Sequence, residues 1–390
     1  MRFRSACLVV LAALVPAGAA RARTVTDTAG FIAGPRAVAG GLLWGGVDGV
    51  SVAGGGGGSR LLVPGVRLSG VTGDADWIAV AGRSGVRAGR LGGPLGWVAA
   101  LHRCSPLESP ARLGPRVPLF ALTGPDLYVV ISTRCAGDRR GGRPVLARVA
   151  LPDGRARVLA RIASGVVSLA ATGTRLAVTY GGSPGGSQRV EVLNATDGGS
   201  LFSVRAPAGM PDPEPTTTQI DSRGDVLVTG PFFIPPGAVA VAWWGDQHIR
   251  VGHVLDGLEV GSAPEPWQTR YWAPLVAASL SNGELAYATY PRVHGERIVV
   301  RNLLTDTTRT VARFPGSADV LGVALRGTRL AWAQQSLGFT TPTKTDECVT
   351  QTHALGPVQL VTANAEQARP ITEPGAAVAP PLGPMCPAPS

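Results

Sequence analysis

Apolar stretches of four to eight residues run the length of the chain, bounded by glycine, proline, asparagine and aspartate, and none keeps a helical period. One phrase returns seven times: a short apolar strand, a tight turn carrying glycine, and a second apolar strand. Clear copies are VVSLAATGTRLAVTY (166–180), TTQIDSRGDVLVTG (217–230), LVAASLSNGELAYATY (275–290) and DVLGVALRGTRLAWAQ (319–334), with VPLFALTGPDLYVVIS (117–132) a fifth. Two degraded copies precede them, AVAGGLLWGG (37–46) and LSGVTGDADWIAVAG (68–82). Asn282-Gly283 is a strong hairpin turn because both positions tolerate positive φ, and Gly124, Gly173, Gly224 and Gly327 stand at the same point of their copies.

A second hairpin follows most copies. Residues 144–161, 187–205 and 297–313 each give two further strands, one alternating apolar and polar and one short and rich in arginine or threonine. That pattern suits an outer pair that is half buried and half solvated, beside an inner pair buried on both faces. The first apolar residue after each inner turn falls at Leu42, Trp77, Leu127, Leu176, Val226, Leu285 and Leu330, at intervals of 35 to 59 residues. A β-rich unit repeated at this period predicts an all-β fold, a β-propeller of seven four-stranded blades. Six or eight blades would follow if residues 23–36 or 91–116 paired differently. Trp44, Trp77 and Trp332 fall on inner strands and are expected to pack between blades.

Gly173–Tyr180 with Arg189–Gly198, and Gly283–Tyr290 with Arg297–Asp306, resemble the WD40-like repeats of TolB-type propellers. In that family an inner hairpin is followed by a V-x-V-x-(N/D)-x-x-(T/D)-G stretch. The resemblance implies the propeller fold over most of the chain. The Trp-Ser-Pro-Asp-Gly turn of TolB repeats and the Gly-His/Trp-Asp signature of WD40 proteins are both missing, so no partner is carried over.

Residues 1–22 have the layout of a secretory signal peptide. Arg2 and Arg4 precede an apolar run from Ala6 to Leu14, and small residues between Ala19 and Ala22 offer a cleavage site. The run is too short for a spanning helix, and Cys7 sits at its front, away from where a lipidated cysteine belongs. The expected organisation is a leader (1–22), a propeller domain (23–375) and a Pro-rich tail (376–390), exported to the envelope or the exterior, without a membrane span. The formal charge of +10 falls to +7 once the three leader arginines are removed. Lys344 is the only lysine and no dense basic run occurs, so the charge reads as a solvated arginine surface and nucleic acid is not an expected partner.

Cys104, Cys135, Cys348 and Cys386 remain after the leader, an even number that suits disulfides in an exported chain. Three pairings are open, and proximity favours Cys104–Cys135 and Cys348–Cys386. In a propeller, the loops between second and third strands share one face with the connections between blades. Cys135 and Cys104 fall in one of each at the third blade, and Cys348 falls in such a loop of the seventh. Cys386 reaches Cys348 if residues 366–373 form the last outer strand and the tail folds back.

No catalytic constellation survives inspection. Gly181-Gly182-Ser183-Pro184-Gly185 matches G-x-S-x-G but lies between strands, where the nucleophile elbow needs a following helix. Gly54–Gly58 has neither the lysine nor the helix of a phosphate loop. The five histidines form no H-E-x-x-H, the acids show no calcium spacing, and Asn194-Ala195-Thr196 reads as an outer-strand turn. Neither metal nor cofactor is expected. Asp212, Glu214, Glu259 and Glu265 lie in long connections between blades, and two of them across the propeller mouth would serve a secreted polysaccharide hydrolase or lyase.

The loop face instead concentrates aromatic and arginine side chains: Arg139, Arg140, Phe232, Phe233, Trp267, Arg270, Trp272, Arg292 and His294. Such a rim suits a peptide, a carbohydrate or an anionic surface ligand. The sequence therefore points to an exported monomer acting as a non-catalytic binding or scaffolding module, its partner an envelope protein or a cell-surface polysaccharide.

Overall fold

The computed structural model describes residues 23–28, 30–38, 41–54, 58–74, 76–109, 117–135, 142–152, 154–181, 189–205, 217–229, 240–245, 248–253, 278–289, 297–305, 307–314, 318–340, 351–367 and 370–372. They form seven sheets, antiparallel except for one short added strand. After β1 (Arg23–Thr28), blade 1 comprises β2 (Phe31–Val38), β3 (Gly41–Gly46), β4 (Gly49–Gly54) and β5 (Ser59–Pro64). Blade 2 comprises β6 (Val71–Asp74), β7 (Trp77–Gly82), β8 (Gly85–Arg90) and the two-residue β9 (Gly96–Trp97). Blade 3 holds β10 (Phe120–Thr123), β11 (Asp126–Ser132), β12 (Pro144–Ala150) and β13 (Ala156–Arg161). Blade 4 holds β14 (Val166–Thr172), β15 (Arg175–Tyr180), β16 (Arg189–Asn194) and β17 (Ser200–Arg205). Blade 5 holds β18 (Thr217–Ile220), β19 (Val226–Thr229), β20 (Ala240–Gly245) and β21 (His248–His253). Blade 6 holds β22 (Ala278–Ser281), β23 (Glu284–Thr289), β24 (Arg297–Asn302) and β25 (Thr308–Arg313). Blade 7 holds β26 (Ala318–Arg326), β27 (Arg329–Thr340) and β28 (Gln351–Asn364). All seven inner hairpins of the sequence pattern are the first two strands of a blade, and the fold is a seven-bladed β-propeller.

The second strand of each blade is apolar on both faces because both faces are covered. In β11, Leu127, Val129 and Ile131 pack against blade 2, while Tyr128 and Val130 pack against blade 4. Elsewhere the two faces differ in size. Ile78 and Val80 meet blade 1, whereas Ala79 and Ala81 meet blade 3. Leu176, Val178 and Tyr180 meet blade 3, whereas Ala177 meets blade 5. Leu330 and Trp332 meet blade 6, whereas Ala333 meets Trp44 of blade 1. Large side chains on one face and small ones on the other let neighbouring sheets interdigitate at close packing. Trp332, fully buried and edge-on to Phe314 at 6.2 Å, and Trp44 pack between blades as expected; Trp77 is half-buried beside blade 3, under the Arg90 guanidinium.

The ring closes in a way the sequence reading missed. The last outer strand of blade 7 is β1, paired antiparallel to β28 with Arg23 opposite Thr362 and Thr28 opposite Val358. Residues 366–373 do not take that place. The chain instead returns to blade 6, where β29 (Ile371–Thr372) adds a fifth, parallel strand beside β25. Gln367 Nε2 donates to the Val311 carbonyl at 2.7 Å and Arg309 Nε to the Ala365 carbonyl at 2.7 Å, tying that return to the same blade. An outer strand is specified mainly by backbone hydrogen bonds at an otherwise open edge, and β1 fills the edge of β28. Blades 7 and 1 approach so closely at Gly322 that a Cβ there would sit 1.7 Å from the Gly34 carbonyl oxygen.

Candidate functional site

The innermost strands of all seven blades surround a central channel of about 490 Å³. Its wall is ordered in two tiers by where each side chain stands before the turn of its inner hairpin. The last residue before the turn is polar in six blades: Asp74, Thr123, Thr172, Asp221, Ser281 and Arg326. The turns of blades 3 to 7 each carry a glycine or asparagine in the left-handed region, as at Gly124 (φ +53°) and Asn282 (φ +52°), and their backbone N–H groups need acceptors from outside the turn. The preceding blade supplies their acceptors. Asp74 Oδ2 accepts from the Gly124 N–H at 2.9 Å, Thr123 Oγ1 from Gly173 at 2.9 Å, and Ser281 Oγ from Gly327 at 3.0 Å. Asp221 accepts from Gly283 and from the N–H groups of Arg223 (2.9 Å) and Asp225 (3.0 Å) in its own turn. Between blades 4 and 5 an arginine substitutes, Arg175 donating to the Arg223 carbonyl. Arg326 completes the circuit by pairing with Asp74.

Two residues earlier stands the second tier, which also reaches forward. Gln219 accepts from the Leu280 N–H at 3.0 Å and donates to the Ala278 carbonyl at 3.2 Å, and Ser279 Oγ accepts from the Leu325 N–H at 2.9 Å. Ala121, Ala170 and Ala324 hold this position in blades 3, 4 and 7 and leave room in the channel. In blade 1 the position is Arg36. Its Nη1 donates to the Val71 carbonyl at 2.9 Å, and no carboxylate pairs with it among the described residues. The side chain is exposed because the channel runs past it, yet protein surrounds it, and that desolvation lowers its pKa from the ordinary arginine value.

On the loop face, Cys104 and Cys135 are joined by a disulfide with Cα atoms 5.7 Å apart. The bridge ties the connection entering blade 3 to the loop after β11, as the sequence reading expected. Cys135 N–H donates to the Ser132 carbonyl at 2.9 Å and Cys104 N–H to Leu101 at 3.0 Å, so both ends start from hydrogen-bonded turns.

No family model matches the chain, and no curated protein matches it. Solved structures of low identity do resemble it. YCF48 bound to D1 peptide is 10% identical, covering 90% of this chain and 96% of that one with a TM-score of 0.45. TolB from Acinetobacter baumannii is 14% identical over 83% of this chain and 79% of its own, with a TM-score of 0.35. A puromycin hydrolase is 13% identical over 85% of this chain and 53% of its own, with a TM-score of 0.48. The propeller assignment stands on the seven sheets themselves, and these likenesses carry nothing about activity.

The nine loop residues singled out from sequence, Arg139, Arg140, Phe232, Phe233, Trp267, Arg270, Trp272, Arg292 and His294, lie outside the described residues, as do Cys348, Cys386 and the carboxylates 212, 214, 259 and 265. Among the described residues no group of three or more histidines, cysteines or acids is placed to hold a metal, and no helix is long and apolar enough to cross a membrane. The channel residues were missed. The signal available was a charged residue, Arg36, inside an inner strand, and a polar residue recurring just before the inner turn in six of the seven copies.

Proposed function

We propose that this propeller is an exported, non-catalytic binding module whose loop face engages an envelope protein or a cell-surface polysaccharide. The Cys104–Cys135 bridge carries the reading. Disulfides persist in oxidising compartments, which supports export across the membrane by the leader at residues 1–22. The bridge also fixes the loop after β11 against its neighbour on the face where the sequence gathers arginines and aromatics, and a recognition surface held before binding loses less freedom on contact.

The test is retention of the purified mature protein on isolated cell-envelope fractions, wild type against a Phe232→Ala/Phe233→Ala/Trp267→Ala variant. Retention of the wild type and loss by a variant that keeps its circular dichroism and melting temperature supports the binding role and the face. Absence of retention for both sinks it and turns attention to glycan turnover by the loop carboxylates.

A further inference from the structure

We propose that the central channel is a second binding site, selective for a carboxylate group, with Arg36 as the residue that receives it. Arginine carries five N–H donors in a planar fork suited to two-point recognition of a carboxylate. The one hydrogen bond of Arg36 uses Nη1, leaving Nη2 and Nε without a partner among the described residues. The other charged groups lining the channel are already engaged. Arg326 pairs with Asp74, and Asp221 accepts from three backbone N–H groups. Arg36 is thus the charge for which the channel provides no counterpart.

Space and chemistry agree on the ligand. The cavity of about 490 Å³ holds a sugar-sized or dipeptide-sized group. Ala121, Ala170 and Ala324 keep the tier of Arg36 open, while Thr72 and Ser168 line the same space with hydroxyls. A single unmatched cation beside neutral hydroxyls favours a monoanion carrying polar groups. A dianion such as phosphate would also face Asp74 and Asp221. The fitting chemistry is the carboxylate of an acidic sugar or of a peptide C-terminus. The inference rests on the channel residues and not on the loop residues, so it holds or fails independently of envelope binding.

The experiment is titration calorimetry of the full mature protein with glucuronate, with N-acetyl-alanine, and with glucose, N-acetyl-alanine amide and inorganic phosphate as controls. Binding of glucuronate assigns an acidic glycan, and binding of N-acetyl-alanine assigns a peptide end. In either case Arg36→Gln, which keeps a donor for the Val71 carbonyl and removes the charge, is expected to weaken binding about 10- to 100-fold. Should that variant fail to fold, a crystal of the wild type soaked in the bound carboxylate decides: density within hydrogen-bond reach of the Arg36 guanidinium supports the site, and density elsewhere overturns it. Failure of both carboxylates to bind the wild type, equal binding by a folded Arg36→Gln protein, or preference for phosphate or the uncharged analogues also overturns it.

Discussion

Arg326 of the last blade reaches past the first blade and pairs with Asp74 of the second at 3.1 Å. Blades 7 and 2 are thereby tied across blade 1, and Asp74 serves two partners at once, the guanidinium and the Gly124 N–H. The pair is about one-third exposed, so the ionic part contributes little, within roughly 1 kcal/mol. The backbone bond adds about 1 kcal/mol. Asp74→Ala is therefore expected to destabilise by about 1–2 kcal/mol in urea unfolding, clearly more than Arg326→Ala. Equal costs would show that the Gly124 contact is idle.

Of the described glycines, Gly322 leaves the least room for a Cβ, at the seam between first and last blades. An alanine there meets the Gly34 carbonyl at 1.7 Å, and backbone on both sides must move. Overpacking of this kind costs about 1–3 kcal/mol or more. At Gly327 nothing lies within 4 Å of an added Cβ, and only its left-handed φ of +55° resists, a penalty of about 1–2 kcal/mol. Melting curves should rank Gly322→Ala well below Gly327→Ala, with the former shifted toward an open or aggregating ring.

Tyr287 and Tyr180 give the fold a limit at high pH. Burial pushes both phenols up to about 12; Glu191 adds to the shift at Tyr180, where Arg189 offsets it, and Arg301 and Arg297 offset it at Tyr287. In the unfolded chain these groups release their protons near 10. Between those values the native state keeps protons that the unfolded state has lost. Stability is therefore fully present below about pH 10 and falls as pH rises to about 12, by roughly 2–3 kcal/mol per tyrosine. Tyr287→Phe should flatten that decline. It should also raise stability at neutral pH by about 1 kcal/mol, because the Tyr287 hydroxyl is buried with no hydrogen-bond partner among the described residues. A lower melting temperature at pH 7 would refute this.

The Cys104–Cys135 bridge spans 31 positions of sequence. Closing a loop of that size stabilises by about 3–4 kcal/mol in the chain-entropy model. Guanidinium unfolding with and without reductant, or of Cys104→Ser/Cys135→Ser, should show a loss of that order. A change under 1 kcal/mol would mean that the unfolded chain keeps the two segments together without the bond.

The inner hairpins were legible because their code is local and doubled: strands such as LYVVI at 127–131 are apolar at every position, and the turns of blades 3 to 7 each hold a residue at positive φ. The first disulfide was legible because the blade pattern placed both cysteines on one face. Closure was not, because β1 (RTVTDT) carries no more apolar signal than the stretch around 366–373, and its pairing depends on an open edge at the other end of the chain. Arg36 was passed over because the run GPRAV reads as ordinary strand, and only the convergence of seven strands turns one of its side chains toward a shared interior.

The pairing of Arg23 with Thr362 also makes the order of synthesis matter. The strand that seals the ring is synthesised before every other strand, and its partner β28 after all of them but β29. Six blades can form without β28, but the seventh stays incomplete until β1 and β28 meet. Contacts this distant in sequence form slowly, so the protein has a built-in interval in which it is nearly complete and still open. Any factor that holds the first strand back, or delivers it early, acts on that interval.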